Sequence, residues 1–152
     1  MNIRFDFITP ENWRIFNRLR VAKEQEEFVA SNVAILARAF AFRDYNSLVY
    51  AVYNDDTPIG LLMQWEYRED DKLICVLDQF MIDKEHQRRG YGRAAMQLWL
   101  SMIEKEGKYD SITLCYKDND ESARNLYLSI GFYHTGEADE DEVIMEYKLN
   151  HK

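Results

Sequence analysis

The segment with the clearest chemical character is a glycine-containing turn, Gln87-Arg88-Arg89-Gly90-Tyr91-Gly92. Its glycines stand directly before a predicted helix, whose first backbone amides have no partners within the chain and carry the positive end of the helix dipole. Glycine also permits close approach of a ligand and unusual backbone angles. Arg88, Arg89 and Arg93 add positive charge. The turn is therefore predicted to bind a pyrophosphate group.

Several interpretations of this turn compete. The simplest is a structural turn with surface arginines. A dinucleotide fold is suggested because residues 90–95 fit the pattern G-x-G-x-x-A. Against it, residues 83–89 separate the turn from its strand, and no acidic residue ends the next strand to hold a ribose. A P-loop is excluded because no Gly-Lys-Ser/Thr follows.

The elements that must position this turn form the pattern of one α/β (α+β) domain over residues 1–152. Their order, βααβββαβαββ, suits a mixed and mostly antiparallel central sheet flanked by helices. The predicted strands lie at 3–8, 48–53, 59–66, 73–82, 111–116, 132–135 and 143–149. In the second helix the apolar residues recur along one face, namely Val33, Leu36, Ala37, Phe40 and Ala41.

Composition and charge narrow the possible partners. A net charge of −8 and a pI of about 4.9 disfavour nucleic-acid backbones and anionic membranes, and tolerate or attract cationic small molecules. The N-terminal residues predict neither a signal peptide nor a membrane span, so a cytoplasmic location is expected. The three histidines form no ligand-spaced cluster, so no metal is expected. Cys75 and Cys115 lie in strand-like apolar runs and are predicted to be buried thiols.

Two motifs in order along the chain carry a family resemblance. The turn at 87–92 matches the Q/R-x-x-G-x-G/A signature of the GNAT superfamily of N-acetyltransferases, and it follows a long strand. Asn125-Leu126-Tyr127 and Gly131-Phe132 are similar to the family's later N-x-x-A-x-x-L-Y-x-x-x-G-F element. The resemblance implies a GNAT fold and acetyl-CoA as the cosubstrate.

The resemblance also implies where acetyl-CoA binds. Its pantetheine arm would fill a gap beside the strand that precedes the signature, where Phe80, Met81 and Ile82 would offer backbone groups to the arm and to the acetyl carbonyl. The residues implied for the pyrophosphate are Gln87, Arg88, Arg89, Gly90, Tyr91, Gly92 and Arg93. The family asparagine falls on Asp120, with Asn119 just before it, so either residue is a candidate for contact with the arm.

Two residues are predicted to act on protons. An alkylamine has a pKa of about 10 and must lose a proton before it attacks. Asp78 lies in an apolar strand beside the proposed acetyl site. It is a candidate base or a carboxylate that binds the substrate cation. The alternative is a structural aspartate of the sheet whose charge is satisfied by a neighbouring partner. Tyr127 matches the family tyrosine that faces the departing sulfur, and its alternative is a core aromatic residue. It would stabilise the thiolate by a hydrogen bond or protonate it.

Within the superfamily the chain resembles the spermine/spermidine acetyltransferases, including bacterial diamine acetyltransferases. The similar segments are residues 25–32, 77–82 and 136–137. A polyamine as acceptor is therefore expected, with Glu24, Glu27 and Asp78 as substrate candidates, and a homodimer is possible. The alternatives are an acetyltransferase for protein N-termini or for another small amine such as an aminoglycoside, and a non-catalytic acyl-CoA sensor.

Overall fold

A seven-stranded sheet forms the centre of the computed structural model, which describes residues 1–149. The strands are β1 (Ile3–Phe7), β2 (Leu48–Asn54), β3 (Thr57–Glu69), β4 (Lys72–Ile82), β5 (Ser111–Lys117), β6 (Tyr133–Asp139) and β7 (Glu142–Lys148). The α-helices are α1 (Trp13–Arg18), α2 (Asn32–Ala41), α3 (Tyr91–Glu106) and α4 (Glu121–Ile130). The predicted order and the mixed α/β class are confirmed.

The sheet has the order β1-β2-β3-β4-β5-β7-β6. Strands β1 to β4 form an antiparallel meander, because short turns connect β2, β3 and β4. Strands β4 and β5 are parallel, and α3 makes the crossover between them. The hairpin of β6 and β7 then places β7 antiparallel to β5. The mostly antiparallel sheet of the sequence prediction is thus present, with its parallel pair at the centre.

Helices cover both faces of the sheet. Residues of α3 and α4 pack with the larger hydrophobic cluster, in which Trp99 is completely buried and donates its indole hydrogen to the Gln64 side chain at 2.8 Å. The smaller cluster on the opposite face contains Phe16 of α1 and Ile35 of α2. Any ligand that passes between β4 and β5 therefore meets α3 and α4 on one side and α1 and α2 on the other.

The centre of the sheet is open at one end. Pairing between β4 and β5 extends only from Ile74 opposite Ser111 to Leu77 opposite Leu114. Beyond it, β4 contains a bulge at Asp78, because Met63 pairs with Gln79 while Gln64 pairs with Leu77. The bulge bends β4 away from β5 and leaves one edge of each strand without a partner strand.

The apolar face predicted for α2 points outward, where Val33 and Phe40 are 62% and 69% exposed. The helix instead packs through Ile35 and the buried amide of Asn32, which donates to carbonyl oxygens of α1 and the following residue. Cys75 is buried as expected, but the same expectation is wrong for Cys115, which is exposed and follows the last residue of β5 that pairs with β4.

Two further properties concern residues 1–149. None of the helices in this range is long and apolar enough to cross a membrane. The same range contains no group of three or more histidine, cysteine, aspartate or glutamate side chains that could hold a metal ion.

Candidate active site

The opening between β4 and β5 forms a cleft with a volume of about 950 Å³. Its lining comes from four parts of the chain: the segment before α2, the unpaired edges of β4 and β5, the turn before α3, and the first turns of α4. Most of the predicted site residues meet here. The structure places Arg89, Arg93, Asn119 and Glu27 outside the lining of this cleft.

The turn before α3 is shaped to bind an anion. Gly90 precedes the helix with φ of 82°, a left-handed conformation that favours glycine, and Arg88 also has a positive φ of 64°. The first amides of the 16-residue α3 have no intrahelical acceptors. Arg88 lines the cleft, whereas Arg93 lies on the exposed side and donates to the Ser129 hydroxyl at 2.7 Å. The backbone amides and Arg88, here named the anion cradle, are therefore the groups predicted to bind the pyrophosphate.

Gln87, the first residue of the signature, is fixed by its own hydrogen bonds. Its amide nitrogen donates to the Ile82 carbonyl oxygen at 2.8 Å and to the Gln25 amide oxygen at 2.8 Å. Gln25 donates in return to the Gln87 amide oxygen at 3.0 Å. Gln87 consequently positions the turn, and it ties the end of β4 to the segment before α2.

The unpaired edge of β4 directs backbone groups into the cleft. The Met81 carbonyl oxygen points toward β3, where a Cβ atom on Gly60 would lie only 2.2 Å from it. Because successive strand residues direct their backbone groups to opposite sides, Phe80 and Ile82 face the gap. The Ile82 carbonyl accepts from Gln87. Of the three residues predicted for the pantetheine arm, Phe80 has both backbone groups available in the gap, while Met81 lines the cleft with its backbone turned to β3.

Tyr127 lines the cleft from α4 and is half-buried. Its ring packs edge-on against Phe132 and lies 6.5 Å from the ring of Tyr116. Burial raises the pKa of Tyr127, and the nearby carboxylate of Asp120 raises it further. The phenol is therefore a hydrogen-bond donor at neutral pH.

The start of α4 distinguishes Asp120 from Asn119. Asp120 lines the cleft and is the N-cap of α4, where its carboxylate accepts from the Ala123 amide at 3.1 Å. Its side chain thus has a structural role as well as a position beside the cleft. Contact of either residue with a ligand stays a prediction.

Asp78 lies at the bulge and its carboxylate is already engaged. Arg38 donates from Nε at 2.9 Å and from Nη2 at 2.8 Å, and the Trp65 indole donates at 3.1 Å. The side chain of Asp78 is 10% exposed. The hydrogen bond to Asp78 raises the pKa of the Arg38 guanidinium. An incoming cation at Asp78 would have to compete with the bidentate guanidinium.

Sequence reasoning missed two charged residues of the cleft. Arg38 is the lone charged residue in the apolar sequence of α2, and that isolation was a usable signal. Glu142 stands in an acidic stretch of the sequence, residues 137–142, and lines the cleft together with Glu24 and Asp78. No local pattern marks Glu142, because its position depends on the pairing of β7 with β5.

The gap between parallel strands and the anion cradle at a helix N-terminus together define a protein that binds an extended phosphate-bearing cosubstrate across its sheet. A family model described as the acetyltransferase (GNAT) family matches residues 8–132. The chain belongs to this family and is an acetyl-CoA-dependent N-acetyltransferase.

Comparison with individual proteins supports the same family. The chain is 29% identical over 143 residues to a probable spermine N(1)-acetyltransferase of Bacillus subtilis subsp. natto strain BEST195. It is 28% identical over 143 residues to a spermine/spermidine N(1)-acetyltransferase of Bacillus subtilis strain 168. Each alignment covers 91% of this chain and 93% of the relative.

Among solved structures, the fold is similar to that of spermidine N-acetyltransferase from Vibrio cholerae in complex with CoA and spermine. The TM-score is 0.78 at 17% identity, with 97% of this chain and 96% of that chain covered. At this identity the likeness concerns the fold.

Proposed function

We propose that this chain transfers the acetyl group of acetyl-CoA to a primary amine of a polyamine, such as spermine, spermidine or a diamine. The observation that carries the proposal is that groups of both charges line one cleft. Arg88 and the glycine-containing turn before α3 contribute to its lining, and so do the carboxylates of Glu24, Asp78 and Glu142. The names of the two Bacillus relatives support the polyamine.

The chain's own groups suit direct attack of the amine. Acetyl-CoA supplies a thioester whose carbonyl develops negative charge under attack. The Phe80 amide, which faces the gap, is placed to stabilise that charge. Arg88, with the amides of the turn, holds the pyrophosphate, and Tyr127 donates a hydrogen bond to the departing sulfur.

The role of Asp78 in this proposal follows from its ion pair. Its oxygens accept three hydrogen bonds, so the carboxylate serves first to fix the bulge beside the acetyl site. Removal of the proton from the amine proceeds through water that reaches this carboxylate. Glu24 lies in the wall of the cleft, whereas Glu27 is exposed outside it, which favours Glu24 of the two as a substrate residue.

A homodimer forms the second part of the proposal. The outward face of α2 exposes Val33, Phe40 and neighbouring apolar residues, an arrangement that a second copy could cover symmetrically. Sedimentation equilibrium should give twice the chain mass of 18.2 kDa. The variant Phe40→Gln should shift the mass toward one chain, and a monomeric wild type would contradict the dimer.

The function is tested by thiol release from acetyl-CoA. Spermine, spermidine, short diamines, a panel of N-terminal peptides and an aminoglycoside are assayed separately with the same enzyme. Polyamines should give the highest kcat/KM. Faster turnover of a peptide or an aminoglycoside would replace the proposed acceptor. Binding of acetyl-CoA without release by any amine would indicate an acyl-CoA sensor.

A further inference from the structure

The charged groups on the α1–α2 face of the cleft are not equivalent. Asp78 forms an ion pair with Arg38, which donates two hydrogen bonds to its carboxylate at 2.8 and 2.9 Å. Glu24 belongs to an exposed single-turn helix, Lys23–Gln25. Glu142 is half-buried and stands at the first position of β7. Its backbone is fixed by strands on both sides.

The register of the sheet fixes the face on which Glu142 lies. Along β5, Leu114 and Tyr116 pack in the cluster beneath α3 and α4, so the alternate residues Cys115 and Lys117 face α1 and α2. Glu142 pairs with Lys117, and directly opposite residues share a face. Glu142 therefore lies on the same side of the sheet as Asp78 and its Arg38 partner.

The carboxylate of Glu142 is available to a ligand. Its cross-strand neighbour Lys117 makes an ion pair with Asp141 instead, at 3.9 Å. Among residues 1–149 the Glu142 side chain has neither a hydrogen bond nor an ion pair, and Arg38 acts on it only at longer range. Burial raises the pKa of the neighbouring Cys115 thiol, and the charge of Glu142 is the next cause. Glu142 thus acts electrostatically on Cys115, a residue that lines the cleft.

We propose that Glu142 binds the ammonium group of the acceptor that is not acetylated, and so makes the enzyme select diamines and polyamines over monoamines. The inference rests on the proposed function. The reacting nitrogen must be neutral when it attacks, so its charge attraction to a carboxylate does not persist into the attack. A second nitrogen keeps its proton at neutral pH, since its pKa is about 10. Glu142 offers that nitrogen a carboxylate that has no direct hydrogen-bond or ion-pair partner within residues 1–149.

The test compares two acceptors of equal chain length, 1,4-diaminobutane and n-butylamine, by thiol release. The wild type should favour the diamine. The variant Glu142→Gln should lose roughly tenfold in kcat/KM for the diamine, mainly through KM, as expected for a partly exposed charge pair. Turnover of n-butylamine and the affinity for acetyl-CoA should be unchanged. Glu137→Gln removes a charge from the same hairpin outside the cleft and should match the wild type.

A second readout does not require turnover. Alkylation of Cys115, the exposed one of the two cysteines, reports occupancy of the cleft. The diamine should slow alkylation in the wild type and in Glu137→Gln, and should have little effect in Glu142→Gln. If Glu142→Gln lowers kcat/KM equally for the diamine and for n-butylamine, or for neither, the proposed role of Glu142 is refuted. If the diamine slows alkylation in the wild type but not in Glu142→Gln, and no thiol is released, the proposed function is refuted while the Glu142 contact is supported.

Discussion

At the level of single residues, the role proposed for Tyr127 at the departing sulfur depends on its raised pKa. The phenol has an ordinary pKa of about 10 and a thiol one of about 8.5, so full proton transfer to the departing sulfur is already uphill. Burial and Asp120 raise the pKa of Tyr127 further. A hydrogen bond that stabilises the thiolate is therefore favoured over complete protonation.

Replacement of Tyr127 by phenylalanine tests this role. We expect kcat to fall roughly 10- to 100-fold, the value of one hydrogen bond to a charged group, with little change in acetyl-CoA affinity. Because a raised pKa keeps the phenol protonated throughout neutral and mildly alkaline pH, the pH–rate profiles of wild type and variant should be parallel. Steady-state kinetics from about pH 6 to 9 measure both. Normal turnover would remove Tyr127 from the mechanism.

The residues of the site differ in how far the sequence predicted them. The turn at 87–92, Asp78 and Tyr127 stand in motifs that depend on local order, and the structure brings them to one cleft. Glu142 reaches the cleft only through strand pairing, and the solvent-exposed location of Cys115 depends on where β4 and β5 separate. Long-range pairing of this kind leaves no local signal.

At the level of elements, the approach of β3 to β4 decides the geometry of the gap. Gly60 leaves no room for a Cβ atom, which would lie 2.2 Å from the Met81 carbonyl oxygen. The backbone of β4 is therefore held against β3 and away from β5. Gly92 differs, because a Cβ atom there would meet side-chain atoms at an ordinary 3.9 Å.

The variant Gly60→Ala should be destabilised by about 1–3 kcal/mol, since overpacking forces the two strands apart. The midpoint of thermal unfolding should then fall by about 2–12 °C for a chain of this size. Gly92→Ala is the matched control and should unfold near the wild-type temperature. Calorimetry measures both, and equal midpoints for all three proteins would show that the contact is unimportant.

The side-chain amides of Gln25 and Gln87 donate hydrogen bonds to each other. The pair links the segment before α2 to the turn before α3. The single variants Gln25→Ala and Gln87→Ala and the double variant form a double-mutant cycle, in which the affinity for acetyl-CoA is measured. Each single variant should weaken binding, and the coupling between them should be about 0.5–3 kcal/mol. Isothermal titration provides the four affinities. Additive losses would mean that the two side chains act independently on the cradle.

The order of the elements was predictable because each carries its own periodicity and ends in turn residues. The outward apolar face of α2 was not predictable. Its buried side is polar in part, since Asn32 satisfies carbonyl groups that helix spacing alone does not reveal. Helix periodicity finds an apolar face but does not distinguish a core contact from an exposed surface.

For the whole molecule, the net charge of −8 favours cationic ligands over anionic ones. Arg88 lines the cleft beside the turn before α3, although the chain as a whole carries an excess of acidic residues that attracts cations. Under the proposed function, acidic residues attract the ammonium groups of the amine, while the phosphates of acetyl-CoA bind at the turn before α3. A small, multiply charged amine would suit this arrangement better than a neutral acceptor.

The central claim is tested most directly by competition in one vessel. Spermine, spermidine, 1,4-diaminobutane, an N-terminal peptide and an aminoglycoside are mixed at equal, sub-saturating concentrations with limiting acetyl-CoA. Mass spectrometry of the acetylated products then gives the ratio of their kcat/KM values. We expect acetylated polyamines to dominate. A mixture in which the acetylated peptide or aminoglycoside dominates would contradict the account.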